Sequence, residues 1–224
     1  MCGRNTHRHT WAEKVALYRL TAPAVAPNEF IPRYNLAPTQ SGPVVRERDG
    51  RRELAMLRWG LIPWWARDAK IAYKTISARA ETVPTAPSDR DAWAARRCPI
   101  PSSGFYEWVK TAGGKQPYLI CFKDDRLFSF GGLWESWKDR QSGERVETYT
   151  IITCPPNELA GRIHNRMPLI IDPADYDRWL TAAEPPADLL RPYPATDIEA
   201  RPVSKGVNKP DVDEPSLIEP IGLV

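Results

Sequence analysis

The first residues of the chain, Met1-Cys2-Gly3-Arg4, hold its most reactive arrangement. Once Met1 is trimmed, Cys2 carries an α-amine and a thiol on adjacent carbons, a pair that no internal residue offers. Such a 1,2-aminothiol captures aldehydes. The amine condenses to a Schiff base, the thiolate closes on the imine carbon, and the resulting thiazolidine hydrolyses far more slowly than a simple imine. An α-amine with a pKa of about 7.7–8.0, against about 10.4 for lysine, has a neutral fraction near pH 7 that is roughly a hundredfold larger. A retained Met1 would acylate that amine and close the route. Two further groups could move protons. Glu107 stands in Gly104-Phe105-Tyr106-Glu107-Trp108, where a carboxylate among aromatics is costly to bury unless paired, and burial raises its pKa. His164, in Ile163-His164-Asn165-Arg166-Met167-Pro168, falls at the end of a short helical segment. Read singly, Cys2 could be incidental, Glu107 half of a structural ion pair and His164 a cap.

The elements that must position these groups are mostly strands. Thr10 and Glu13 form a capping box ahead of an amphipathic helix over residues 10–20. A proline-bearing crossing over 22–32 leads to residues 33–40, where Asn35, Pro38 and Thr39 supply turn chemistry and predict a loop. Strands are expected over 43–47 and 54–61, with a hairpin tip at Asp49-Gly50. Trp59-Gly60-Leu61-Ile62-Pro63-Trp64-Trp65 cannot be regular throughout. Pro63 fixes the backbone, and consecutive Trp64 and Trp65 point apart in any strand, so at least one is expected at the surface as a stacking platform or a rim residue. A helix follows over 89–97, and Cys98-Pro99-Ile100-Pro101 opens a strand that runs on to Trp108, with Phe105 and Glu107 on one face and Tyr106 and Trp108 on the other. Gly113-Gly114 predicts a hairpin. Further strands are expected over 118–123, 127–133 and 149–154, then a short helix opened by Asn157 and another capped by Asp172 with Pro173 in its first turn.

Composition bounds the class. A chain of 224 residues suits one domain with a sizeable core. Its longest apolar runs, 119–122 and 169–171, are too short to span a bilayer, which points to a cytoplasmic protein. Cys2, Cys98, Cys121 and Cys154 are widely spaced, which argues against a zinc ribbon or a disulfide scaffold and for a reducing compartment. The net charge of +3 hides an asymmetry: residues 1–126 carry 21 Lys+Arg against 12 Asp+Glu, and residues 127–224 carry 10 against 16. The basic part suits a polyanion. With 23 Pro and nine Trp, the chain reads as a loop-rich sheet protein whose aromatics fill the core or line a groove.

Taken together, Met1-Cys2-Gly3-Arg4, Tyr34-Asn35-Leu36-Ala37-Pro38-Thr39, Arg58-Trp59-Gly60-Leu61-Ile62-Pro63, Ala78-Arg79-Ala80-Glu81-Thr82, Gly104-Phe105-Tyr106-Glu107-Trp108 and Ile163-His164-Asn165-Arg166-Met167-Pro168 resemble, in order and spacing, the SOS-response-associated peptidase family of abasic-site-processing proteins. The resemblance runs to about Ile221. It implies a single α+β domain built on a mostly antiparallel, barrel-like sheet with peripheral helices. It also implies a protein, expected to be a monomer, that binds single-stranded DNA, often at single-strand/double-strand junctions. There it would link Cys2 to the ring-opened abasic sugar as a thiazolidine, without metal or cofactor. Carried over by position, Cys2 is the nucleophile, Glu107 the acid/base, His164 a proton shuttle, and Ser77 stands where the family usually has Asn. Arg4, Pro38, Thr39, Trp64, Trp65, Arg79, Trp108 and Thr153 would hold phosphates, stack on bases or line the pocket. A Ser hydroxyl offers one donor where an Asn amide offers two donors and an acceptor, so slower or less stable crosslinking is expected. Asn165 stands where Asp is usual, and His164 is expected to titrate lower as a result.

Two other functions fit the same residues. In an amino-terminal-nucleophile peptidase or amidohydrolase, the Cys2 thiolate attacks an amide with Glu107 or His164 as base, and DNA is irrelevant. In a non-catalytic reader of modified or damaged DNA, Cys2 is structural and its replacement by Ala is silent.

Overall fold

The computed structural model describes residues 3–21 and 31–222; Cys2 and residues 22–30 of the crossing lie outside them. In chain order the elements are β1 (Asn5–His7), α1 (Trp11–Tyr18), β2 (Arg33–Leu36), β3 (Ser41–Arg48), β4 (Arg51–Trp59), β5 (Ser77–Arg79), α2 (Arg90–Ala95), β6 (Arg97–Ser102), β7 (Gly104–Thr111), β8 (Gly114–Phe122), β9 (Phe128–Lys138), β10 (Arg145–Cys154), β11 (Met167–Pro168), β12 (Ile170–Ile171), α3 (Tyr176–Thr181) and β13 (Ile198–Pro202). They form one α+β domain with two sheets. One has the order β13-β8-β7-β1-β2. The other runs β12-β9-β10-β4-β3, with β6 also on β9 and with β5 and β11 on β10; β3 packs beside β6, so this sheet curls into a nearly closed barrel. Pairing is antiparallel except where β10 takes β4 and β5 in parallel. No helix among the described residues is long and apolar enough to cross a membrane.

Local chemistry explains most of these elements. The capping box at Thr10 and Glu13 starts α1 as expected, and a left-handed Arg19 ends it. Asp49 and Gly50, at φ of 52° and 70°, make the β3–β4 hairpin turn that the right-handed strand twist favours. The two sheets share one core. Phe105, Ile120 and Phe122 of the first meet Phe128, Phe130, Leu133 and Ile151 of the second, with Trp59 stacked on Tyr149 at 6.1 Å further along. The first sheet is apolar on its other face too, where Tyr106, Leu119 and Cys121 are covered by Val203, Val207 and Leu217 from the end of the chain.

Two expectations are corrected. Residues 33–40 are not all loop: residues 33–36 are β2, because β1 pairs with them and Asp213 accepts the amides of Tyr34 and Asn35 at 2.6 and 3.0 Å. Nor is there one strand from Cys98 to Trp108. The chain changes sheet at Ser103, leaving β6 on β9 and starting β7 beside β1. Serines make the crossing: Ser102 Oγ donates to the carbonyls of Thr6 and Gly104, the Ser103 amide donates to Thr6, and Ser103 Oγ accepts the Arg8 amide. Gly104 is required there, since a Cβ would lie 2.8 Å from Leu119 Cδ1 and 3.1 Å from the Ile120 carbonyl.

Candidate active site

The predicted site residues come from both sheets. Glu107 belongs to the first. In β7, Asn5 pairs with Phe105 and Thr6 with Gly104, and the Tyr106 amide donates to the Arg4 carbonyl at 3.0 Å. Continuing that register sets Gly3 opposite Glu107. Alternation puts Glu107 on the Phe105 face as expected, and it is only 3% exposed. Desolvation pushes its pKa from 4.5 up to about 7. Trp108 points to the opposite face and donates from Nε1 to Asn208 Oδ1 at 2.7 Å.

Just before β1, the Arg4 guanidinium donates to Asn35 Oδ1 at 2.8 Å and to the Val207 carbonyl at 2.6 Å. β2 then carries the chain into the turn at Pro38 and Thr39. Thr39 is exposed with a φ of 76°, an uncommon conformation for a residue that is not glycine. The turn is held because the Thr39 amide donates to the Trp59 carbonyl and the Trp59 amide to Gln40, both at 2.9 Å. The Trp59 indole in turn donates to the Ile76 carbonyl at 2.8 Å, next to Ser77.

A second group of the predicted residues is built on β10. Ser77 pairs with Ile151 and Arg79 with Thr153, while Thr153 pairs on its other edge with Pro168. Thr153 is buried, its Oγ1 donating to the Ala78 carbonyl at 3.2 Å; Arg79 is exposed. Arg166 ties the group together. It donates to the Thr153 carbonyl at 2.6 Å, forms a two-pronged ion pair with Glu81 (2.9 Å for Nη2 to Oε2), and its amide donates to His164 Nδ1 at 3.1 Å. The bond from the Arg166 guanidinium holds Glu81 below its ordinary pKa, and desolvation lowers that of half-buried His164.

Trp64 and Trp65 lie between β4 and β5 in the chain. They are 59% and 38% exposed, so both lie at the surface, tethered through Nε1 to Asp91 Oδ2 at 2.9 Å and to the Pro87 carbonyl at 3.2 Å. Asn35 and Arg166, which bond to several of these residues, carried no assigned site role in the sequence. Both sit inside motifs quoted above, and Asn35 reads as a turn former until β2 is seen to bury it. Among the described residues no group of three or more His, Cys, Asp or Glu could hold a metal ion.

A protonatable carboxyl opposite Gly3, with an imidazole and an exposed arginine among the other predicted residues, suits an amino-terminal nucleophile acting next to an anionic polymer. The family description SOS response associated peptidase (SRAP) matches residues 1–210, and the chain belongs to that family. It is 41% identical to the abasic site processing protein YoqW of Bacillus subtilis, over 98% of this chain and 99% of that one. It is 34% identical to the abasic site processing protein HMCES of Gallus gallus, over 87% of this chain and 68% of that one. A crystal structure from Bacteroides thetaiotaomicron, 29% identical, superimposes with a TM-score of 0.88 over 98% of this chain and 100% of that one.

Proposed function

We propose that this protein processes abasic sites by linking Cys2, freed of Met1, to the ring-opened sugar of an abasic site in single-stranded DNA. The observation that carries the reading is the strand register that brings Gly3 opposite a buried carboxyl with a pKa near 7. A group so poised is half protonated at neutral pH and can both give and take a proton.

The reaction then runs in balanced steps. Protonated Glu107 gives its proton to the ring oxygen while its other carboxyl oxygen takes the proton of the hemiacetal hydroxyl, which opens the sugar to the aldehyde and leaves Glu107 protonated. The neutral Cys2 amine adds to the aldehyde carbon, and a proton moves from its nitrogen to the new oxygen to give the carbinolamine. The carbinolamine hydroxyl leaves as water with the proton of Glu107, giving the iminium. The Cys2 thiol then gives its proton to the Glu107 carboxylate and its sulfur closes on the iminium carbon, which leaves a neutral ring nitrogen. One water is released for each thiazolidine formed. Exposed Arg79 supplies phosphate affinity, which falls with salt, and Trp64 and Trp65 offer faces on which bases stack. The peptidase in the family's description corresponds in this scheme to cleavage of one bond, Met1–Cys2.

The test is intact mass spectrometry of the protein after incubation with a single-stranded oligonucleotide carrying one abasic site. The expected product is a heat-stable adduct that lacks Met1, has lost one water, and is absent with Cys2→Ala or with undamaged DNA. An adduct that survives Cys2→Ala, or none from a correctly trimmed amino end, would overturn the reading.

A further inference from the structure

The amino-terminal strand lies between β7 and β2, and a segment from the far end of the chain binds beside it. Asn35 is completely buried, and its Nδ2 is surrounded by the carbonyls of Val212, Lys209 and Val207 at 2.7, 2.9 and 3.3 Å, while its Oδ1 accepts from Arg4. Arg4 reaches the same segment itself, donating to Val207 and, at 3.4 Å, to the Asn208 carbonyl. Asp213 closes the loop by accepting the amides of Tyr34 and Asn35 and pairing with Arg33. Trp108, next to Glu107, is pinned by the Asn208 side chain.

We infer that residues 205–213 are a clamp that holds the start of the chain in register with Glu107, and that Arg4 and Asn35 are positioning residues of this clamp rather than ligands of DNA phosphates. The inference rests on the crosslinking reading above for its kinetic consequence only. The Arg4 fork is already engaged by three oxygens, those of Asn35, Val207 and Asn208, all belonging to the protein. An arginine used this way fixes a backbone. Arg4 donates with its side chain to the clamp while its carbonyl receives the Tyr106 amide, so the backbone that leads into Gly3 is fixed from both ends of the residue. Misplacing a reacting group by about 1 Å costs on the order of a hundredfold in rate.

Arg4→Met, Arg4→Lys and Asn35→Ala separate the two roles. Non-covalent binding to a single-stranded oligonucleotide, in a Cys2→Ala background, gives the salt slope; single-turnover adduct formation at saturating abasic DNA gives the rate; hydrogen exchange gives the protection of the Tyr106 amide. A clamp predicts that all three variants lose tenfold or more in saturated rate, keep the wild-type salt slope, and exchange Tyr106 at least tenfold faster. A phosphate ligand predicts instead that Arg4→Met lowers the slope by about 0.7, one contact's worth on a single strand, that Arg4→Lys behaves as wild type, and that the saturated rate is unchanged. That outcome overturns the inference. If the wild type forms no adduct, the crosslinking reading fails alone and exchange still decides: unaltered Tyr106 protection in Arg4→Met refutes the clamp, and faster exchange supports it. Should Asn35→Ala not fold, the two Arg4 variants carry the test.

Discussion

Replacing Glu107 by Gln removes a titration while keeping the shape of the side chain, and the consequence can be worked through. In the unfolded chain the carboxyl ionises near 4.5, and in the fold near 7, because burial disfavours the charged form. Between those values the folded state binds more protons than the unfolded state, so stability falls as pH rises through this window. At about 1.36 kcal/mol per decade, the wild type loses about 3 kcal/mol from this one group between pH 4.5 and pH 8. An amide at this position does not titrate and undergoes no such loss. The stability of Glu107→Gln relative to wild type therefore increases by about 3 kcal/mol across that range. For a chain of this size that is roughly 6–12 °C in the difference between melting temperatures. The assay is thermal or urea unfolding of both proteins at half-unit steps of pH. The same variant slows adduct formation by about 10²–10⁴-fold, the range for a lost general acid. Parallel stability profiles for the two proteins would refute the reasoning, since they would mean that the carboxyl ionises in the fold as it does in water.

Three further outcomes are expected. Ser77→Asn should form the adduct faster than wild type in single-turnover mass spectrometry, because an amide offers two donors and a carbonyl acceptor where the hydroxyl has one donor and less reach. Arg79→Ala should weaken binding to single-stranded DNA and lower its salt slope by about 0.7, read by titration at several salt concentrations. Arg97→Ala should destabilise the fold by at least about 3 kcal/mol in urea unfolding. The buried Arg97 guanidinium donates to the carbonyls of Trp93, Ala94, Trp179 and Ala182, bracketing the ends of α2 and α3, and its loss strands all four.

Legibility in the sequence followed the range of each interaction. Capping of α1, the Asp49-Gly50 turn and the alternation that buries Glu107 are decided by residues a few positions apart, and they are visible in the sequence alone. The sheet change at Ser103 is not, because a Ser-Ser-Gly run between two apolar segments looks like any strand interruption until Thr6 and Arg8 arrive to bond it. The same holds for β2, where Asn35 and Pro38 carry turn chemistry locally and the decision is made by Asp213, about 180 positions away. Within the candidate site, Glu107 and His164 stand out by residue type. Arg166 does not: its importance lies in three partners, Thr153, Glu81 and His164, that only the pairing of β10 with β5 and β11 brings within its reach.

The strand order of the first sheet also governs timing. β1 is an inner strand, with β7 on one edge and β2 on the other, yet Asn5 must wait for Phe105 to be synthesised and Arg4 for Val207. Pairings of such sequence separation form late, after the loops between them have been closed. On the ribosome the amino end is thus the first part of the chain to emerge and among the last to be seated. In the proposed reaction, Met1 can therefore be trimmed before the strand is seated, and Cys2 is aligned only once residues 205–213 have been made. An affinity tag accordingly belongs after residue 224 rather than before residue 1.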